Sequence, residues 1–281
     1  MIQRYHIHLT ALTPIVHGDT TTSIDMETNT TLFMRRGTVV NDIPIRVPAI
    51  SENALRSVMV RIPLHDHLLQ ALAIERGQLS QAVVNLLFSG GNLKSGATAP
   101  DSALALGHQI GTRYPSLALL GGAVDRFMLP PGRLALSAWI VARENLPALA
   151  EVAPELVEPA ERVSLFDLIH EETRTRGTGE QSAGNQMLYT YETLAAGAQV
   201  LVEVTLRAHT PPVVASALAV ALAQWDGYLG AQGRQGRGRM RVRHTLPPAD
   251  LYLEHLEQER EAMRAGLLDG TLGTGREVVS D

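Results

Sequence analysis

The chain has 281 residues, 45% of them apolar, no cysteine and a formal charge of −5; it can bury a core without staples, and disulfides, thiolate metal ligands and a cysteine nucleophile are excluded. Its longest apolar run, near 213–223, falls far short of the roughly 20 residues of a membrane-spanning helix. The opening residues alternate polar and apolar where a secretion signal would be continuously apolar, so a cytoplasmic protein without membrane partners is expected.

Tyr5, Ile7 and Leu9 alternate with His6, His8 and Thr10, which predicts a strand over 4–11, ended by Pro14, Ile15, Val16, His17 and Gly18. Residues 19–29, rich in Thr, Ser and Asp, read as a long loop of the kind that carries function. Extended stretches at 31–36 and 43–48 lead to Ser51, an N-cap for a helix with Ala54, Leu55, Val58 and Met59 on one face and Arg56 in its early turns. Leucines at helical spacing make 64–88 a helical region, 89–96 a loop, and 115–120 a short helix closed by Gly121 and Gly122. The turn signal Pro130, Pro131, Gly132 introduces a strand at 133–141. Residues 146–159, with three prolines and several acids, read as an irregular insertion.

Further along, a polar loop at 174–184 is flanked by 165–169 and 187–191, which predicts a projecting hairpin. A strand at 200–208 follows, and Pro211 and Pro212 open an apolar helix over 213–229. Residues 230–243 then form a glycine-rich segment holding Arg234, Arg237, Arg239, Arg241 and Arg243, five of the chain's 23 arginines, and no acid. Met240 and Val242 alternate with Arg239, Arg241 and Arg243 as in a strand. The order helix, glycine loop, strand excludes dinucleotide and P-loop motifs, which need strand, loop, helix so that phosphate meets a helix N-terminus. Glycines let backbone approach a phosphate chain closely, and flanking arginines supply charge-assisted bonds. Lys94 is the single lysine, so cationic work falls to arginine, whose planar guanidinium forks onto phosphate. From Ala249 onward eight acids face three arginines, so 249–281 carries the whole −5 and 1–248 is balanced at 21 acids and 21 bases. This acidic end reads as a solvated helix and a disordered terminus.

Other chemistries lack their patterns. His6 with His8 and His65 with Asp66 and His67 have no matched set of ligand spacings, so neither metal nor cofactor is expected. His17 reads as a hydrogen-bonding loop residue, Asp19 and Asp25 as solvated loop acids, and no nucleophile elbow or triad is present.

A first strand ending in Pro14, Ile15, Val16, His17 and Gly18, the approach to Ser51, Asn53 and Arg56 on a helix, the Gly121 and Gly122 stop, and a late helix feeding the glycine loop together resemble the RAMP superfamily of CRISPR proteins. Within it, 1–243 is most similar to the type IV form of the backbone subunit that polymerises along guide RNA. The resemblance implies an α+β fold, a ferredoxin-like, RNA-recognition-type palm shaped as a right hand. The core would span 1–248, with a helical insertion at about 60–130 and a thumb hairpin at about 160–190, and 249–281 would be an acidic C-terminal tail. It implies RNA contacts from Ser51, Asn53 and Arg56, from Arg35 and Arg36, from thumb residues Arg174 and Arg176, and from Gly230, Gln232, Gly233, Arg234, Gly236, Arg237, Gly238 and Arg239.

The implied function is non-catalytic. Copies would line one guide RNA head to tail, bind its phosphates without sequence preference and leave its bases to pair with target nucleic acid, alongside other effector subunits. Type III relatives that cut targets place a catalytic aspartate just before the second strand, where this chain has Asn29, Thr30 and Thr31. The alternatives are a RAMP-type endoribonuclease that processes guide RNA or cleaves target RNA, and a structural or small-ligand-binding protein that holds no RNA.

Overall fold

A computed structural model describes residues 1–18, 30–40, 42–93, 103–125, 127–176, 187–269 and 272. In chain order its elements are β1 (Gln3–Ala11), β2 (Thr30–Thr31), β3 (Arg35–Val40), β4 (Ile43–Pro48), α1 (Glu52–Leu55), a π-helical segment (Arg56–Arg61), α2 (Ile62–Ala71), α3 (Gln81–Ser89), β5 (Gly91–Leu93), α4 (Ala103–Arg113), α5 (Pro115–Leu120), β6 (Ala123–Asp125), β7 (Phe127–Met128) and β8 (Leu134–Ile140). Then come α6 (Leu146–Val152), α7 (Val157–Glu161), β9 (Ile169–Arg176), β10 (Met187–Leu194), β11 (Gln199–Leu206), α8 (Pro212–Gln224), β12 (Met240–His244), α9 (Asp250–Gln258) and α10 (Arg260–Leu268). The fold is mixed, with antiparallel sheets and packed helices.

Four strands make the central sheet in the order β12-β1-β11-β8, every neighbour antiparallel. Alternation decides its faces. Ile7 and Leu9 of β1, Val200, Val202, Val204 and Leu206 of β11, and Ile140 of β8 are all buried in one core with Leu55 and Met59 and with α8. α8 is apolar on nearly every side because it lies between the sheet and helices α2, α5 and α9. On the opposite face, Leu201 is buried by a second small cluster from α6, α7 and the turn between them: Leu149, Ala153, Leu156 and Ala160.

Three expectations are corrected. Residues 146–159 are helical, because Pro147 and Pro154 stand at helix starts, where a missing N–H costs nothing. α8 stops at Gln224 instead of reaching 229; Trp225 is extended and Gly227 has φ +78°. The acidic end is docked as far as α10: Tyr252, Leu256, Met263 and Leu267 are buried, and Ser216 on α8 donates to the Pro248 carbonyl and accepts from the Tyr252 N–H. Two smaller differences follow the same logic of local breaks. The region 64–88 is two helices separated at 72–80, and α3 runs through Ser89 to a left-handed Gly90 before β5.

Candidate nucleic-acid interface

The predicted site pieces meet on one five-residue segment just past β1. Pro14 accepts from the Gly238 N–H, and Val16 accepts from the Ala231 N–H, so both limbs of the glycine loop are tied to 14–18. From the same segment, Ile15 exchanges backbone hydrogen bonds with Leu194 at the foot of the β9–β10 hairpin. His17 accepts from the Ser51 N–H through Nε2, 3.1 Å away, and its carbonyl accepts from Met34. The segment that ends the first strand is therefore a spine carrying the loop, the hairpin, the start of α1 and the approach to β3. His17 acts as a hydrogen-bonding residue, as its sequence context indicated; burial lowers its pKa, which keeps Nε2 an acceptor.

The loop is held by its own backbone. Leu229 donates to Gly238, Met240 to Gly227, and Arg237 to Gln232, around a single 3-10 turn at Gly233–Gln235. Gly230 and Gly238 have φ near +87° and +73°, and a Cβ on either would overlap a carbonyl oxygen, that of Val16 or of Leu229. Glycine is thus required by close backbone approach. Gln232 is left-handed without being glycine, and Gly233 and Gly236 lie in the outer turn. Arg234 and Arg239 are exposed.

Arg237 behaves differently. Its guanidinium forks onto Glu172 of β9, with Nη1 2.8 Å from Oε1 and Nη2 bound to Oε2, and it lies over the Tyr191 ring of β10, 5.4 Å from the centroid. Its side chain is only 11% exposed. The glycine loop is in this way locked to the foot of the hairpin. The hairpin has the antiparallel register expected of a projecting pair, with Arg174 opposite Tyr189 and Arg176 opposite Met187; its tip, 177–186, lies outside the described residues.

The predicted arginines at 35, 36 and 56 are also engaged. Arg35 pairs with the buried Glu192 at 2.7 Å, whose second oxygen accepts from the Phe33 N–H. Arg36 donates to Glu52 at 2.7 Å and to the Ala138 carbonyl at 3.2 Å, and Arg56 donates to the Leu134 carbonyl at 2.9 Å. Leu134 and Ala138 belong to β8, an edge strand, so these two arginines cover outward-facing carbonyls that would otherwise be free to pair. Burial lowers the Arg56 pKa; Arg61 is lowered first by burial and then by the charge of Arg56. Ser51 caps α1, its hydroxyl accepting from the Ala54 N–H, and Asn53 is exposed.

Glu172, Glu192 and His17 organise the site, and sequence reasoning assigned none of them that part. For Glu192 a lone carboxylate among the apolar and threonine residues of β10 was the available signal, whereas β9, with two acids and two arginines, did not single out Glu172. Asp19 and Asp25 lie outside the described residues. The His65, Asp66 and His67 run is split by the fold: His65 is fully buried, and Asp66 pairs with Arg76. Among the described residues no group of three or more His, Asp or Glu is placed to hold a metal ion, and no helix is long and apolar enough to cross a membrane.

No protein-family model matches the chain, and no curated protein sequence matches it. One chain of a solved structure described as "Type IV-B CRISPR Complex" is similar over 88% of this chain and 96% of that chain, with a TM-score of 0.61 and 20% sequence identity. The two share a fold. The likeness extends over most of the length of both chains rather than one motif.

Proposed function

We propose that this chain is the non-catalytic backbone subunit of a type IV-like CRISPR effector complex and belongs to the RAMP superfamily. On this reading the central sheet is a ferredoxin-like palm: strand order β12-β1-β11-β8 is the 4-1-3-2 order of that fold, with α1–α2 and α8 as its two crossover helices. The insertion and the β9–β10 thumb are added to it.

The observation that carries the reading is the convergence on 14–18. Glycine loop, thumb foot and α1 start, far apart in sequence, are bonded to one spine at one end of the sheet. This end offers Arg234, Arg239 and Asn53 to solvent for sequence-independent phosphate contacts, while bases stay free for pairing, and the thumb strand β9 carries Arg174 and Arg176 in its sequence. Arg35, Arg36, Arg56 and Arg237 would act by holding the pieces in place. Other effector subunits and further copies in head-to-tail contact are the protein partners. No nuclease chemistry is assigned to it.

The test is co-expression with a guide RNA. A large particle with a high absorbance ratio at 260 to 280 nm, and no regularly spaced cuts in labelled complementary RNA with divalent metal, is the expected result. RNA-free monomer would refute the backbone reading, and regular cleavage would favour an endoribonuclease.

A further inference from the structure

The loop runs directly into β12, and its arginines continue there. Among the described residues β12 is an edge strand paired only with β1, in a register that sets Arg243 opposite His8, Val242 opposite Leu9 and Arg241 opposite Thr10. Leu9 is buried in the core, so Arg241, Arg243, His8 and Thr10 stand on the other face of the sheet. That face continues with His6 opposite Glu203 and Arg4 opposite Thr205. The helices α6 and α7 cover it around Leu201 and Trp139. Arg241 and Arg243 are exposed and make no ion pair among the described residues. The one acid that these four strands place on this face, Glu203, is engaged by Arg4 at 3.5 Å.

We infer that this open face is a binding track for the sugar–phosphate backbone of a nucleic-acid strand, held by Arg241 and Arg243 with His8 and Thr10 alongside. Alternate residues of a strand are about 6.6 Å apart, close to the step between successive phosphates of an extended single strand, so the ladder Arg239, Arg241, Arg243 matches the repeat of its ligand. Guanidinium forks suit phosphate oxygens, and the ladder is continuous with the glycine loop. The inference rests on the guide-RNA reading for the source of the strand, which is either the guide beyond the loop or the strand paired to it.

The experiment compares full-length R241A/R243A with R234A/R239A and wild type, assembled on a co-expressed guide. One arm measures guide retention and the length protected from nuclease against salt; the other measures binding of a complementary oligonucleotide to the loaded particle. Two lost phosphate contacts should flatten the salt slope by about 1.4, at roughly 0.7 per single-strand contact, with thermal unfolding unchanged. Loss in the first arm identifies the guide, and loss confined to the second identifies the paired strand. If R241A/R243A matches wild type in both arms while R234A/R239A is impaired, the track is refuted and the guide reading stands. Aggregation of R241A/R243A with unchanged affinity would also refute it, marking these arginines as guards of an exposed edge. A wild-type protein that holds no RNA refutes both.

Discussion

Arg237 of the glycine loop forks onto Glu172 of β9, across 65 residues of sequence, so the most basic segment of the chain is anchored by an acid on the proposed thumb. The pair is largely shielded, Arg237 by the Tyr191 ring, and the Thr193 hydroxyl donates to the same carboxylate. Glu172→Gln should destabilise the protein by about 1–3 kcal/mol, the range for breaking a partly buried charge-assisted pair. Arg237→Lys should not rescue it, because an ammonium cannot make the fork. Thermal unfolding of both single variants and of the double variant measures the coupling; additive effects would show the two residues to be independent.

The arginines expected to contact RNA should separate into two classes. Arg36 and Arg56 satisfy carbonyls of the β8 edge, so R36A/R56A should lower stability by about 1–3 kcal/mol through the orphaned acceptors. Arg234 and Arg239 are exposed, so R234A/R239A should shift stability by less than about 0.5 kcal/mol. The second pair, not the first, should flatten the salt dependence of RNA binding. Urea unfolding and a salt titration on the same preparations decide it.

Gly238→Ala should be far more costly than Gly236→Ala. Both residues have positive φ, but a Cβ at Gly236 meets nothing within 4 Å, whereas at Gly238 it overlaps the Leu229 carbonyl. We expect about 1 kcal/mol for Gly236→Ala, the strain of a left-handed alanine, and several times that for Gly238→Ala. Calorimetric unfolding checks the order. RNA retention should fall with Gly238→Ala although no charge is removed, since the loop could no longer close on Pro14.

Stability should fall in acid through His65. It is fully buried, and burial followed by the Arg61 charge lowers its pKa to about 3, offset only in part by the Leu87 backbone. The folded pKa lies below the unfolded value of 6.5, so the unfolded chain takes up a proton that the native state refuses. Stability is flat above about pH 6.5 and declines below it by roughly 1.4 kcal/mol per pH unit, down to about pH 3. His65→Leu should remove most of this slope and be more stable than wild type at pH 5. His17 and His67, lowered by burial in the same direction, add to it. Denaturant midpoints at pH 5 and pH 7 provide the comparison, and an unchanged slope in His65→Leu would refute the assignment.

Strands were legible where alternation met a clear stop: β1 begins one residue before its predicted start, β4 matches 43–48, and β8 lies within 133–141. Ser51 was recognisable as a cap because its chemistry is local. Helices α6 and α7 were obscured by prolines that start helices yet resemble breaks in a one-dimensional reading. In α9 and α10 the dense acids drew attention from the spacing of Tyr252, Leu256, Met263 and Leu267, which is that of an apolar stripe. Least legible were the acids. Glu192 meets Arg35 across 157 residues and Glu172 meets Arg237 across 65, and no local pattern announces which carboxylate a distant arginine will find.

The spine at 14–18 also sets a timetable. Its partners Leu194, Ala231 and Gly238 are the late residues of the chain, so contacts spanning roughly 180 to 220 residues must close before the interface exists. A nascent chain emerging N-terminus first can fold β1 but has nothing to hang on it, and the first 200 residues alone lack both limbs of the glycine loop. On the proposed reading, the RNA-gripping end is therefore complete only once the chain has been made through residue 238.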